Sequence, residues 1–169
     1  MKKPVLNNKY NSLGNDSRYF VITGGRGSGK SFAITTFLAF LTFEQGHKIL
    51  FTRYTMISAA NSIIPEFLEK LELYGIMEHF RITKDEILNI STGSSILFKG
   101  IRTSAGNQTA ALKSISAITT WVLDEAEELT KEEDFDKIDQ SVRSKAKPNR
   151  VIMVLNPATK EHWLYERFF

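Results

Sequence analysis

The sequence predicts an α/β fold in which a mostly parallel central sheet is flanked by helices. Apolar segments alternate along the chain between short strand-like runs and longer runs with helical spacing. A glycine-rich segment, Gly24–Ser31, lies between the first predicted strand and the first predicted helix. The 169 residues, 42% of them hydrophobic, suit one domain with a substantial core. We therefore expect a single domain over residues 1–169, with an irregular lead-in over residues 1–17.

Each predicted element follows from its apolar pattern and from the residues that end it. Strands are predicted over residues 19–23, 48–53, 118–123 and 151–155, which are short apolar runs. Helices are predicted over residues 31–45, 58–74 and about 130–145, the last of them starting at a capping-box pattern. A Ser-Thr-Gly-Ser turn predicts a β-hairpin insertion around residues 86–99. Residues 102–114 are small and polar and predict a loop.

Composition and charge exclude several classes of function. The chain has no cysteine, which excludes disulfides and thiolate metal sites, and its three histidines lack ligand spacing. The net charge of +3 is compatible with nucleic acid but too small to argue for it. No apolar run approaches the roughly 20 residues of a membrane span, and the N-terminus does not have the pattern of a signal peptide. We expect a soluble intracellular protein that does not act at a membrane.

The glycine-rich segment has the spacing of a phosphate-binding loop. Its residues are Gly24, Gly25, Arg26, Gly27, Ser28, Gly29, Lys30 and Ser31. They fit the pattern G-x-x-x-x-G-K-[ST] in the strand–loop–helix context that the pattern requires. Glycines let backbone N–H groups form a concave anion site, and the helix N-terminus adds its dipole. We expect Lys30 to reach the β- and γ-phosphates of ATP and the Ser31 hydroxyl to bind Mg²⁺.

Arg26 is an unusual residue inside such a loop. Its guanidinium could lie over the γ-phosphate as an arginine finger supplied by the same chain. A solvated arginine facing a groove is the alternative, and the sequence favours neither.

Two carboxylates, Asp124 and Glu125, end the predicted strand 118–123. Ligands of open α/β sheets lie at the carboxyl ends of the strands. Asp124 therefore fits the carboxylate on the Mg²⁺ side, and Glu125 fits the base that orients the attacking water. A solvated strand end is the alternative for this pair. Glu127 and Glu128, which follow, are expected to face solvent.

Asn156 ends the predicted strand 151–155. A glutamate directly after the aspartate suggests an extra strand between the two nucleotide-binding strands, so strand 151–155 is expected between strands 19–23 and 118–123. Asn156 would then lie beside the γ-phosphate, where its amide could sense that phosphate. A simple Asn-Pro turn is the alternative, and the pattern alone favours the turn.

Together these strings resemble one protein family. The sequence contains GGRGSGKS, then the Leu112-Lys113-Ser114 stretch, then WVLDEAEEL, then LNP followed by HWLY over residues 162–165. From about Arg18 to Phe169 the chain resembles the large terminase subunit of tailed bacteriophages, in the branch typified by defective Bacillus prophages. The loop alone is not specific to this family; its combination with the DEAEEL and HWLY strings is much more so.

The resemblance implies a RecA-like P-loop ATPase of the ASCE type that drives double-stranded DNA into an empty capsid in the host cytoplasm. It implies that Lys30, Ser31 and Asp124 bind Mg-ATP, that Glu125 is catalytic, and that Asn156 couples hydrolysis to movement. The implied partners are DNA, the capsid portal protein, the small terminase subunit and further copies of the chain. Those copies would form a ring, usually a pentamer, whereas the isolated domain is expected to be monomeric.

Three points remain open at this stage. A neighbour in the ring could supply a cation to each site, and the candidates are Arg102, Lys113, Arg143 and Arg53. Whole large terminases carry a C-terminal nuclease, for which 169 residues leave no room. A truncated chain or a split gene product is therefore expected. Its aromatic tail, residues 163–169, should lack its natural cover. A helicase or translocase of another RecA-like family and a non-enzymatic nucleotide-binding regulator are the alternative functions.

Overall fold

The structure is a computed structural model that describes residues 4–56, 59–103, 106–107, 109–156 and 160–169. Its strands are β1 (Tyr19–Thr23), β2 (Lys48–Thr55), β3 (Phe80–Ile82), β4 (Glu86–Asn89), β5 (Ser95–Thr103), β6 (Gly106–Asn107), β7 (Thr120–Asp124) and β8 (Arg150–Leu155). Its α-helices are α1 (Lys30–Leu41), α2 (Ile63–Tyr74), α3 (Thr109–Lys113), α4 (Glu132–Asp139) and α5 (Trp163–Phe168). Short 3₁₀ helices cover Asn8–Gly14, Met77–His79 and Ala126–Glu128.

The strands form one mixed sheet in the order β1-β8-β7-β2-β5-β4-β3, and β6 pairs with β5. The first five strands in this order run parallel, whereas β4, β3 and β6 pair antiparallel. Met153 of β8 lies between Val21 of β1 and Leu123 of β7. The predicted insertion of strand 151–155 between strands 19–23 and 118–123 is therefore confirmed.

Side chains alternate across the sheet and fill two cores. Val122 and Ile152 face the core that contains α1 and α2, whereas Leu123 and Met153 face the core that contains α3, α4 and α5. Both central strands, β7 and β8, are buried at every position, as expected for parallel strands covered on both faces. Among the described residues, no helix is long and apolar enough to span a membrane.

The predicted hairpin forms, but it is not a separate insertion. β4 and β5 pair antiparallel through Ile87 and Ile96. β5 also pairs in parallel with β2, where Phe51 lies beside Phe98. The buried Phe98 ring packs against Phe51 and Phe67, so the second strand of the hairpin belongs to the main sheet. β4 and β3 extend the sheet beyond β5.

The helix predicted for residues 130–145 is shorter than expected and lacks its predicted cap. It ends at Asp139 because Arg18, from the start of β1, donates to the backbone carbonyls of Asp139 and Val142, both at 3.2 Å. Arg18 also pairs with the Asp139 carboxylate at 2.7 Å. The capping position is Lys131, which makes no side-chain capping bond. Thr130 does not cap the helix, so the capping-box prediction was wrong.

Other predicted boundaries also change. The lead-in is not irregular throughout, because residues 8–14 form a 3₁₀ helix that buries Tyr10 and Leu13. The predicted loop 102–114 contains β6 and α3 among its described residues. The helix predicted over 58–74 begins at Ile63, and its expected first residue, Ser58, lies outside the described residues.

The aromatic tail, which was expected to lack its cover, is covered in part. In α5, Leu164 is buried and Phe168 packs against Tyr19 and Phe135. Arg167 pairs with Glu132 and Asp136 of α4, at 2.8 Å and 2.7 Å. Tyr165 and Phe169 remain exposed.

Candidate functional site

A cleft of about 370 Å³ opens where β1, β2, β7 and β8 end. It is lined by the glycine-rich loop, by the ends of the three other strands and by the first residues of α1. The cleft therefore lies at the carboxyl edge of the parallel sheet, where ligands of open α/β sheets bind. The structure brings the glycine-rich loop, Asp124, Glu125 and Asn156 to this one cleft.

The glycine-rich loop has a backbone that glycine permits. Gly27 and Gly29 have φ values of 75° and 81°, in the left-handed region that side chains disfavour. A Cβ atom added at Gly25, Gly27 or Gly29 would meet no other atom within 4 Å, so these positions border open space. Gly29 caps α1, whose first amides therefore face the cleft end of the loop. Ser28 Oγ is buried without a described hydrogen-bond partner.

The two cations of the loop itself, Arg26 and Lys30, have no carboxylate partner among the described residues. Lys30 Nζ donates only to neutral oxygens: the carbonyls of Gly24 and Gly25, the latter at 3.1 Å, and Asn156 Oδ1 at 3.3 Å. Arg26 is exposed, lines the cleft, and its guanidinium bonds to no described residue. The cleft therefore carries positive charge that its own side chains do not neutralise at this end.

At the opposite wall, Arg53 holds the aspartate of the acidic pair. Its Nε and a terminal nitrogen lie 2.8 Å and 2.7 Å from Asp124 Oδ2. Its Nε is also 3.7 Å from Glu125 Oε2. The Asp124 side chain is only 12% exposed, so the arginine supplies the charge compensation that a buried carboxylate requires. Arg53, a candidate for a cation from a neighbouring copy, thus lies in the chain's own site.

Glu125 combines backbone strain with a perturbed carboxyl group. Its backbone, with φ of 54° and ψ of 47°, lies in the left-handed region. Among the described non-glycine residues, only Ala117 also has a positive φ. Such strain is concentrated at functional sites. Burial raises the pKa of the Glu125 carboxyl, Arg53 opposes that shift, and Asp124 adds to it. The side chain is 42% exposed, so it is open to solvent from the cleft.

Asn156 is held by a residue that the sequence analysis assigned to solvent. Asn156 Nδ2 donates to Glu127 Oε1 at 2.8 Å. Glu127 is partly buried, and its Oε2 is buried without a described partner. The expectation that Glu127 faces solvent was therefore wrong, whereas Glu128 is exposed as expected. The 3₁₀ helix directly after β7 turns Glu127 toward the end of β8, and the sequence pattern carries no signal for that turn.

A further carboxylate, which the sequence patterns do not indicate, lies near the acidic pair. Glu66 of α2 lines a small cavity together with Ser31, Thr35 and Asp124. Burial raises the pKa of the Glu66 carboxyl, while Arg53 lowers it. Its only sequence signal is a charged residue among the apolar positions of an amphipathic helix.

The other candidate cations lie outside the cleft. Arg102 is exposed near the carboxyl end of β5, on the same edge of the sheet as the cleft, and Lys113 ends α3. Arg143 lies in the connection that enters β8, at the opposite edge. Leu112, beside Lys113 in the sequence string, is a buried core residue.

The donor chemistry of the cleft fits a magnesium–nucleotide complex. Ser31 offers a hydroxyl and Asp124 a carboxylate, and both border the cleft and the cavity behind it. Mg²⁺ is usually held by one or two such protein oxygens together with waters and substrate phosphates. No group of three or more His, Cys, Asp or Glu suited to a metal occurs among the described residues. The uncompensated Lys30 and Arg26 suit the phosphate end of the ligand.

Comparison with known proteins decides the family. A family model described as "Phage terminase large subunit" matches residues 16–169. The chain belongs to the phage terminase large subunit family. No curated protein matched this terminase chain in the corresponding comparison.

Three phage proteins are among the solved structures with the same fold. The large terminase of a thermophilic bacteriophage is 14% identical with a TM-score of 0.69, covering 90% of this chain and 37% of that one. The large terminase ATPase domain of Thermus phage P74-26 is 17% identical with a TM-score of 0.62, covering 88% and 62%. The N-terminal domain of the DNA packaging ATPase from bacteriophage phi29 is 17% identical with a TM-score of 0.66, covering 96% and 84%. The terminase chain thus spans little more than a third of the first of these three proteins.

Proposed function

We propose that this terminase chain is the ATPase motor domain of a viral DNA-packaging machine. It would hydrolyse Mg-ATP and use the reaction to move double-stranded DNA into a procapsid. The observation that carries the proposal is the cleft in which the glycine-rich loop, the Asp124–Glu125 pair and Asn156 converge. The large terminase of the thermophilic bacteriophage, solved in complexes with ATP-gamma-S and with ADP, supports the choice of nucleotide.

The residues of the cleft divide into two roles, binding and activation of water. The loop amides, the Lys30 ammonium and the first turn of α1 would bind the phosphates. The Ser31 hydroxyl and the Asp124 carboxylate would hold Mg²⁺, which when bound neutralises charge that develops on the phosphate oxygens. Arg53 would hold the Asp124 carboxylate in place and balance its charge, because two of its nitrogens contact one carboxylate oxygen.

Glu125 would act as the base that orients the attacking water. Its carboxyl is the part-exposed acid of the pair, and burial raises its pKa, which increases its basicity once ionised. Arg26 is free of described partners and could lie against the γ-phosphate from the same chain. Asn156 would couple the state of the phosphate to movement at the end of β8.

The working assembly would be a ring of copies, of which five is the expected number, on the capsid portal in the host cytoplasm. DNA, the portal protein and the small terminase subunit would be its partners. The phi29 viral genome packaging motor assembly, whose matching chain is 16% identical and 51% covered, supports an assembled motor. A monomer in isolation should hydrolyse ATP slowly, because a cation from a neighbour can contribute about 10³–10⁵ in rate.

The test is the release of phosphate from Mg-ATP by the purified chain, with and without Lys30→Ala. We expect slow turnover that Lys30→Ala abolishes, with an unchanged circular dichroism spectrum. Arg81→Ala, an exposed position on β3, serves as the control for loss of a surface cation. Equal turnover by the Lys30→Ala and unsubstituted chains would refute the assignment of the phosphate loop.

A further inference from the structure

We propose that Glu127 is a positioning residue that fixes the side-chain amide of Asn156, so that Asn156 responds to the Lys30 ammonium and not to the phosphate directly. This inference rests on the proposed function, since that function gives Lys30 its phosphate. It changes how the γ-phosphate is sensed: the amide oxygen, not the amide NH₂ group, would face the site.

The polarity of the Asn156 amide follows from its two neighbours. Nδ2 lies 2.8 Å from Glu127 Oε1, and Oδ1 lies 3.3 Å from Lys30 Nζ. An amide has one donor end and one acceptor end, an ionised carboxylate only accepts, and an ammonium only donates. Between an anion and a cation only one of the two amide orientations satisfies both bonds. The reversed amide would face Lys30 with its NH₂ group and Glu127 with its oxygen.

Glu127 is well placed to act as an anchor. It lies in the 3₁₀ helix Ala126–Glu128, whose backbone is tied by bonds from Glu128 N to Glu125 O at 2.9 Å and from Leu129 N to Ala126 O at 3.1 Å. Ala126 is fully buried. The Asn156 amide is the only described donor to the Glu127 carboxylate, and Oε2 is buried with no described partner. The carboxylate therefore depends on Asn156, and Asn156 is held by a rigid turn.

The Lys30 contact, by contrast, is one that a phosphate would replace. Lys30 Nζ bonds here to three neutral oxygens. Anionic phosphate oxygens accept stronger, charge-assisted hydrogen bonds, so a bound γ-phosphate should draw the ammonium away from Asn156 Oδ1. The amide would keep its bond to Glu127 and lose its cation. The presence of the phosphate would thus be read at the end of β8 as the loss of one contact.

The connection after β7 is also bound at a second point, where the change can be passed on. Trp163 Nε1, at the start of α5, donates to the backbone carbonyl of Leu129. Asn156 and Trp163 are therefore both tied to the short connection that carries Glu127 and Leu129. Because Asn156 keeps its bond to Glu127, movement that follows the loss of the Lys30 contact would pass to this connection and from it to Trp163.

The pairing can be tested by exchanging donor and acceptor. Asn156→Asp would place two carboxylates against each other and should lower the melting temperature. Adding Glu127→Gln would place an amide donor at position 127 opposite the new carboxylate, which can still accept from Lys30. The double variant should therefore recover the melting temperature. Glu128→Gln in the Asn156→Asp background is the matched control, because Glu128 is an exposed glutamate of the same turn.

Thermal melts without nucleotide would be measured on the unsubstituted chain, both single variants, the double variant and the control. Steady-state hydrolysis of Mg-ATP would be measured on the same five proteins. We expect Asn156→Asp to lower kcat by about 10²-fold through misplacement, with KM changed less than about threefold. The double variant should recover both kcat and melting temperature, and the Glu128→Gln control should recover neither.

Two results would overturn the inference. If the double variant does not recover the melting temperature, Glu127 and Asn156 do not form the proposed pair. Recovery of the melting temperature while kcat stays equal in all five proteins would make the pair structural only. Either result leaves the turnover of the unsubstituted chain and its loss in Lys30→Ala intact. Absence of turnover in the unsubstituted chain would instead sink the proposed function, and the assigned role of Glu127 with it.

Discussion

The ion pair between Arg53 and Asp124 gives the sharpest stability prediction. Arg53→Met keeps an apolar stem but removes both nitrogens that contact Asp124 Oδ2, at 2.7 Å and 2.8 Å. The Asp124 side chain, 12% exposed, would then carry a charge without its partner. Breaking a fully buried pair costs about 3–5 kcal/mol. Because Arg53 is 19% exposed and water can reach the cleft, we expect about 2 kcal/mol.

That loss corresponds to a lower melting temperature by about 4–8 °C, since each kcal/mol is worth roughly 2–4 °C in a domain of this size. The assay is a thermal or urea melt at pH 7 without nucleotide. Adding Asp124→Asn should restore about 1 kcal/mol, because it removes the uncompensated charge. Arg81→Met, at an exposed position of β3, should stay within about 0.5 kcal/mol.

The double variant decides whether the reasoning holds. If Arg53→Met/Asp124→Asn is no more stable than Arg53→Met alone, the loss does not come from an unpaired carboxylate. A single-variant loss as small as that of the Arg81→Met control would refute the charge argument outright.

The remaining predictions concern catalysis, coupling and pH. Glu125→Gln should bind ATP normally in a titration but hydrolyse it about 10²–10⁴-fold more slowly; lost binding would contradict the role. Asn156→Ala should leave slow hydrolysis but stop packaging, whereas an unaltered number of base pairs per ATP would exclude coupling. Burial lowers the pKa of the His47 imidazole. The nearby charges of Lys147 and Arg150 lower it further, whereas Glu44 opposes the shift. Stability should therefore fall as pH drops below about 6.5, and denaturant melts of His47→Gln should show a shallower fall.

The strand–loop–helix context of the glycine-rich segment and the strand order could be predicted because both follow from local patterns. The loop is a contiguous string in a strand–loop–helix context, and the position of β8 follows from the glutamate after Asp124 together with Asn156 at the end of the strand. Each of these signals lies within a few residues. The family resemblance depends on the same strings, and a family model that matches residues 16–169 confirms it.

Features that depend on distant partners could not be predicted. α4 stops at Asp139, where Arg18, more than 100 positions away in sequence, donates to the last carbonyl of the helix and to that of Val142 beyond it. Glu127 contacts Asn156 because a short 3₁₀ helix turns it toward β8, and nothing in the string DEAEEL distinguishes it from the exposed Glu128. Glu66 approaches Asp124 only because α2 packs beside α1. Apolar periodicity shows which face of a helix is buried, but it does not show which element packs against that face.

The place of β8 in the sheet has a consequence for how the protein is made. β8 follows the other described strands in sequence, yet it separates β1 from β7 and pairs with both along their length. A ribosome would therefore release β1 to β7 before β8, the strand that lies between the one leading into the glycine-rich loop and the one ending in the acidic pair. Residues 150–156 must emerge before the cleft can exist, and the pairing of β1 with β8 spans over 120 positions of sequence. Such long-range parallel pairing slows folding, so we expect the growing chain to expose the facing edges of β1 and β7 until residues 150–155 emerge.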